Sequence, residues 1–135
     1  MTEAITTSKI PEGEERMDFM ARHFGMMRSV QVEMYLYGKL DQICEEYNGG
    51  YWEFYELSNG GYMMCLDDDT PVEVKVDSNY YSGTMSMRSA SITACLYALN
   101  NEAQRGGDSA IRAYYALYEY ARQLDEWNEI YSAID

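Results

Sequence analysis

The stretch from Tyr47 to Tyr62 constrains this chain more than any other. Two breaks, Asn48-Gly49-Gly50 and Asn59-Gly60-Gly61, enclose the aromatic run Tyr51-Trp52-Glu53-Phe54-Tyr55-Glu56-Leu57. Aromatic side chains suit a pleated, half-buried surface, and Asn-Gly tolerates the positive φ of tight turns. The run therefore reads as one strand of a β-hairpin, with Tyr62 to Leu66 as its return. Trp52, Phe54 and Glu56 share one face of that strand; Tyr51, Glu53, Tyr55 and Leu57 share the other.

The flanking sequence places the hairpin in an α+β chain. Upstream, Val32, Leu36, Leu40, Ile43 and Tyr47 recur at helical spacing, which predicts a helix from about Ser29 to Tyr47, with Ser29 as N-cap and Asn48-Gly49 as C-cap. Downstream, Asp67-Asp68-Asp69-Thr70-Pro71 reads as a turn. Val72, Val74 and Val76 alternate with charges as a half-buried strand, and Thr84-Met85 adds a short fourth strand. Strands so close in sequence pair as an antiparallel meander. The last third is helical: one stripe holds Ile92, Cys95, Leu96, Leu99 and Ala103, capped by Ser86 or Ser89. After Gly106-Gly107, Asp108 caps a second helix with Ala110, Tyr114, Leu117, Ala121 and Leu124 on one side, and Glu126 to Ala133 forms a third. Met17 and Phe19 alternate with charges and suggest a short edge strand over residues 16–20, while residues 1–14 read as a flexible lead-in. The expectation is a single α+β domain over residues 15–135, a small antiparallel β-meander packed with several α-helices.

Composition narrows the class. An apolar share of 47% and 14 tyrosines argue for a folded globule. A net charge of −13 repels phosphate backbones, so direct nucleic-acid binding and attraction to anionic membranes are not expected. The three cysteines, Cys44, Cys65 and Cys95, are odd in number and widely spaced, and with one histidine they offer no zinc pattern. Free thiols, the absence of a signal-peptide pattern and the lack of a long apolar run point to the cytoplasm.

No reaction is written in the residues. Asp67-Asp68-Asp69 lacks the ligand spacing of a calcium loop and reads as a solvated turn. His23 has no partner named by any pattern; an enzyme would need a convergent site such as His23 with Glu56. Hydrolase elbows, phosphate loops and dinucleotide fingerprints are missing, so neither catalytic residues, nor a metal, nor a cofactor is expected. What remains is a tyrosine-rich surface of the kind enriched in binding patches.

The hairpin text resembles a known family. Tyr51-Trp52-Glu53-Phe54-Tyr55-Glu56-Leu57-Ser58-Asn59-Gly60-Gly61 is similar to the central stretch of the KlcA/ArdB antirestriction proteins. Ile10-Pro11-Glu12, Arg22-His23-Phe24-Gly25, Tyr81-Ser82-Gly83-Thr84-Met85-Ser86, Ala94-Cys95-Leu96-Tyr97-Ala98-Leu99-Asn100 and Ala133-Ile134-Asp135 resemble further blocks, in the family's order. Met20-Ala21 departs from the family's Leu-Pro, and Arg88-Ser89-Ala90-Ser91 from its acidic, alanine-rich helix start. The resemblance implies an α+β protein of plasmids and other mobile elements that protects incoming DNA from host type I restriction–modification enzymes, with no cofactor and no catalytic step.

Two mechanisms are compatible with that role. An acidic face can mimic DNA, or a specific patch can contact the restriction enzyme or an associated host protein. The acids are interspersed with Lys, Arg and Tyr rather than laid in stripes, which favours the patch. Its candidate residues are Trp52, Tyr55, Glu56 and Asn59 in the hairpin and Asp135 at the end, where two carboxylates meet. The alternatives are that Trp52 is core and that Asn59 only shapes the turn. A monomer or weak homodimer fits this reading. The competing function is an acidic regulatory module that binds a host protein without affecting restriction.

Overall fold

The computed structural model describes residues 3–106 and 108–135. In chain order the elements are β1 (Thr7–Lys9), α1 (Glu14–Phe24), α2 (Met26–Ile43), β2 (Trp52–Leu57), β3 (Tyr62–Leu66), β4 (Pro71–Val76), a 3-10 turn (Asp77–Asn79), β5 (Tyr81–Ser86), α3 (Met87–Ala103), α4 (Asp108–Ala121) and α5 (Trp127–Ile134). The α+β class expected from the sequence holds, but the sheet is divided: β1-β2-β3 form one antiparallel sheet and β4-β5 another.

The division has a physical cause at the outer edge of β3. The backbone N–H of Leu66 donates to the Ser91 hydroxyl at 2.9 Å, and the buried Cys95 thiol lies against the Met64 backbone. Ser91 and Cys95 lie four residues apart on α3, hence on one helical face. α3 thus covers the edge that a continuous meander would have offered to β4, and a covered edge stops the sheet. β4 is left to pair with β5 alone, in register from Pro71↔Ser86 to Val76↔Tyr81.

α3 is the centre of the packing. Every residue from Ser89 to Leu96 is buried, with Ala98 and Leu99, so the helix is covered on all sides rather than along one stripe. Its start is fixed by Ser86, whose hydroxyl accepts from the Ser89 backbone N–H at 3.0 Å. Glu126 accepts from the Ser86 backbone N–H at 3.0 Å, from the Ser86 hydroxyl at 2.7 Å and from the Ser89 hydroxyl at 2.6 Å. That carboxylate also lies at the positive end of α3, where a negative charge is favoured. It replaces the acidic residue absent from the helix's own first turn.

The N-terminal third departs most from expectation. Residues 16–20, read as an edge strand, are inside helix α1. Alternation of Met17 and Phe19 is misleading here because only Phe19 and Met20 are buried, while Met17 is 79% exposed. The Phe19 ring meets Phe54 at 5.5 Å and Tyr62 at 5.2 Å, both edge-on, and this contact with the hairpin fixes the helix face. Glu14 and Glu15 in the first turn and Arg22 and His23 in the last suit the helix dipole. Residues 7–9, within the expected lead-in, form the edge strand instead: Thr7, Ser8 and Lys9 pair with Leu57, Glu56 and Tyr55. The predicted long helix exists but runs earlier, from Met26 to Ile43, with Cys44 as its extended C-cap and Gly25 before it. Ser29 lies inside it, bonding back to the Met26 carbonyl at 2.8 Å.

Candidate partner-binding surface

The hairpin register is Trp52↔Leu66, Phe54↔Met64 and Glu56↔Tyr62 on one face, with Glu53↔Cys65 and Tyr55↔Met63 on the other. All of β3 is buried, so both faces of the pair are covered along that strand. The sequence-predicted site residues separate accordingly.

Trp52 is core. It is 7% exposed, its indole N–H reaches the Tyr47 hydroxyl at 3.2 Å, and its ring lies 5.2 Å from that of Tyr37. It offers no surface to a partner. Asn59 is exposed but its side chain is committed: the amide donates to the Ala116 carbonyl of α4 at 2.9 Å and the oxygen accepts from the Gly61 N–H at 3.1 Å. The turn is thereby tied to α4. Gly61 is required by proximity rather than by φ, because a Cβ there would collide with the Ala116 Cβ. The Asn-Gly-Gly text thus encodes a hairpin docked on a helix, with Trp52 in the core and Asn59 holding the turn to α4.

Tyr55 belongs to a charged ladder on the opposite face. Its hydroxyl donates to Asp67, and Lys9 lies 5.6 Å over its ring. Lys9 reaches Asp67 at 3.1 Å and Glu53 at 3.6 Å, while Arg88 stands 3.6 Å from Asp67 and pairs with Asp69. Partial burial and the Asp67 carboxylate push the Tyr55 hydroxyl up to about 12. Burial opposes ionisation of Asp67, but the bonds from Tyr55 and Lys9 outweigh it and hold that carboxyl below its usual range. The third acid of the run, Asp68, caps its own turn by accepting from the Thr70 N–H at 2.9 Å. The acidic triplet is therefore occupied within the fold, and the described residues contain no group of three or more His, Cys, Asp or Glu placed to hold a metal.

Glu56 is exposed and has no ion pair among the described residues. Asp135 is exposed at the end of α5, its N–H bonded to the Tyr131 carbonyl at 2.9 Å. α5 packs on α3 and on the β4-β5 sheet, so Asp135 is not joined to the β2 residues as one patch by the elements that hold it. Tyr55 and Glu56 are adjacent in β2 but point to opposite faces of the strand.

His23 stacks on Tyr62 at 4.0 Å and meets Phe19 edge-on at 4.6 Å. Burial among these rings, with a smaller push from Arg22, holds its pKa below the ordinary histidine value; Glu56 opposes this weakly. A depressed base takes up its proton later in the folded than in the unfolded chain, so His23 contributes stability that is present above about pH 6.5 and is lost as pH falls below it. The urea midpoint should fall between pH 7.5 and pH 5 by a larger step in the wild type than in His23→Phe, which keeps the stack without the charge. Equal steps would remove His23 from the acid response.

One surface was not foreseen. Met26, Met27, Val30 and Met34 on α2 and Met17 on α1 are all more than half exposed. The signal was present in the sequence as apolar residues lying off the Val32–Leu36–Leu40 stripe. Among the described residues, no helix is long and apolar enough to cross a membrane.

Comparison with known proteins places this arrangement. A family model described as antirestriction protein matches residues 45–135. Antirestriction protein KlcA of Escherichia coli is 36% identical over 97% of this chain and 94% of its own. The uncharacterized protein YafX of Escherichia coli strain K12 is 36% identical over 97% of this chain and 88% of its own. A solved structure superposes with a TM-score of 0.86 at 35% identity, covering 100% of this chain and 99% of that one. It is described as showing that KlcA and ArdB have a novel fold and antirestriction activity against type I DNA restriction systems in vivo but not in vitro. With the hairpin, its α4 anchor and the C-terminal helices all inside the matched region, this chain belongs to the antirestriction protein family.

Proposed function

We propose that this protein shields incoming DNA from host type I restriction–modification enzymes in the cytoplasm by binding a protein of the restriction pathway, without catalysing a reaction and without binding nucleic acid itself. The observation that carries the choice of mechanism is the fate of its carboxylates. Glu53, Asp67, Asp69 and Glu102 are engaged by Arg and Lys within the fold. Glu126 and Glu129 are engaged by hydroxyls. A DNA mimic needs a row of free charges at phosphate spacing; the acids paired with Arg or Lys do not contribute to one, and the unpaired ones are interspersed along the chain with Lys, Arg and Tyr. The in vivo but not in vitro activity described for KlcA and ArdB supports the same reading, since a mimic would need only the purified nuclease.

The test is plating of unmodified phage on cells with and without a type I system, with and without this protein. Plating should rise only where both are present, and equal plating would reject the reading. Exchanging Glu73, Asp77, Asp108 and Asp125 together for their amides should leave protection unchanged; its loss would favour mimicry. Glu56 and Asp135 are the exposed candidates for contact. Glu56→Ala and Asp135→Ala should each change stability by less than about 0.5 kcal/mol, as surface exchanges do, yet lower protection. Full protection by either variant removes that residue from the surface.

A further inference from the structure

Among the described residues, every exposed large aliphatic side chain except Ile111 lies on α1 or α2. Met17 is 79% exposed, Met26 81%, Met27 82%, Val30 56% and Met34 68%. Met26, Val30 and Met34 recur every fourth residue and Met27 falls beside them, so α2 carries a second apolar stripe distinct from the buried one through Val32, Leu36 and Leu40. Such methionine concentrations are unusual on a surface, and their flexible, polarisable side chains adapt to varied apolar partners.

Two clefts flank these helices; Met17 of α1 lines both, and Met26 of the stripe lines one. One, of about 510 Å³, is bounded by Glu14, Glu15, Asp18 and Met26. The other, of about 640 Å³, holds Glu33 with the rings of Tyr37 and Tyr47, while Arg16 in the same cleft already covers the rings of Tyr51 and Phe54. Burial raises the Glu33 carboxyl above its ordinary range. Glu14, Glu15 and Glu33 have no ion pair among the described residues, whereas Arg16 is taken by Glu53, Arg22 by Asp18 and Arg28 by Glu102, and Lys39 of α2 lies instead over the Tyr97 ring of α3. The charge left free around the methionines on these two helices is negative. Aromatic rings with a carboxylate beside them suit an alkylammonium or guanidinium group.

We propose that the α1–α2 face is a docking surface for a basic amphipathic helix of a partner protein, its apolar side on the methionine stripe and a Lys or Arg in the cleft beside Glu33. A second copy of this chain fits poorly, because it would bring another acidic rim and a further net charge of −13. The inference goes beyond the antirestriction reading and does not depend on it.

The probe is a synthetic helix with leucine at i, i+3, i+4 and i+7 and lysine elsewhere, titrated into the full chain carrying methyl-labelled methionine. The expected result is that the methyl signals of Met17, Met26, Met27 and Met34 move while those of buried Met63, Met64 and Met85 stay. Met27→Ser with Met34→Ser should weaken binding by about tenfold or more, as loss of buried apolar contact does, without moving the thermal midpoint. Glu33→Gln should weaken binding and flatten its salt dependence. Equal binding of a scrambled peptide of the same composition, methyl shifts spread over the molecule, or no binding would overturn the proposal. So would a dimer, seen by sedimentation, that buries these methionines.

Discussion

Arg16→Ala should destabilise the protein by about 3 kcal/mol, near the lower end for breaking a buried ion pair. The guanidinium serves four acceptors: the Ile10 carbonyl at 2.9 Å, the Glu53 carboxylate at 3.0 Å, the Tyr51 hydroxyl at 2.8 Å and the Trp52 carbonyl at 3.3 Å. It also lies 5.2 Å over the rings of Tyr51 and Phe54. The Arg16 and Glu53 side chains are only 13% and 15% exposed, so removing the cation strands a carboxylate with little water around it. Lys9 at 3.6 Å compensates Glu53 in part, which keeps the loss at the lower end. For a chain of this size about 3 kcal/mol corresponds to a drop of roughly 10 °C in Tm. Arg16→Lys should recover less than half, because a compact ammonium cannot reach four acceptors around a planar fork. A loss below about 1 kcal/mol in urea unfolding would show that Arg16 is surface decoration rather than the tie between α1, the segment before it and β2.

Leu96→Ala is expected to cost about 3–4 kcal/mol, within the range for deleting a fully buried leucine whose site cannot collapse. Leu96 has no exposed surface and lies mid-way along α3, which packs against α2, α4, α5 and both sheets. A void there cannot be filled by one neighbour's movement, since each neighbour is held by others. Leu96→Met keeps the volume and should cost less than about 1.5 kcal/mol. The urea midpoint should fall with the slope unchanged, and protection of phage DNA should fall with the folded fraction. Near-wild-type stability of Leu96→Ala would contradict the central place given to α3.

Much of the fold was legible because its periodicities are local. The Val32–Leu36–Leu40–Ile43 stripe is buried in α2 as its spacing requires, and Val72, Val74 and Val76 point inward from β4 with charges outward. The Ser86 cap and the Asp108 start appear where the sequence places them. The candidate site was legible only in part. Trp52, Asn59 and Gly61 stand out in the text because the hairpin must hold Tyr47, α4 and the turn together, and a residue fixed by packing carries the same strong signature as one fixed by function. Tyr55 was singled out without its partners, since Lys9, Asp67 and Arg88 arrive from three other segments.

The sequence by itself determined the α+β class, the hairpin with its turns, and the family to which the aromatic run belongs. These rest on side-chain period and turn chemistry within a few residues. Only the tertiary structure decided that residues 16–20 are helical, that the sheet breaks after β3, and that the N-terminal segment is an edge strand. Each of those outcomes turns on a distant partner: Phe54 and Tyr62 for Phe19, Ser91 and Cys95 for the β3 edge, and β2 for Thr7–Lys9. A chain read in order shows what each segment can become. Which alternative wins is set by the apolar faces and backbone groups that segments remote in sequence leave to be satisfied.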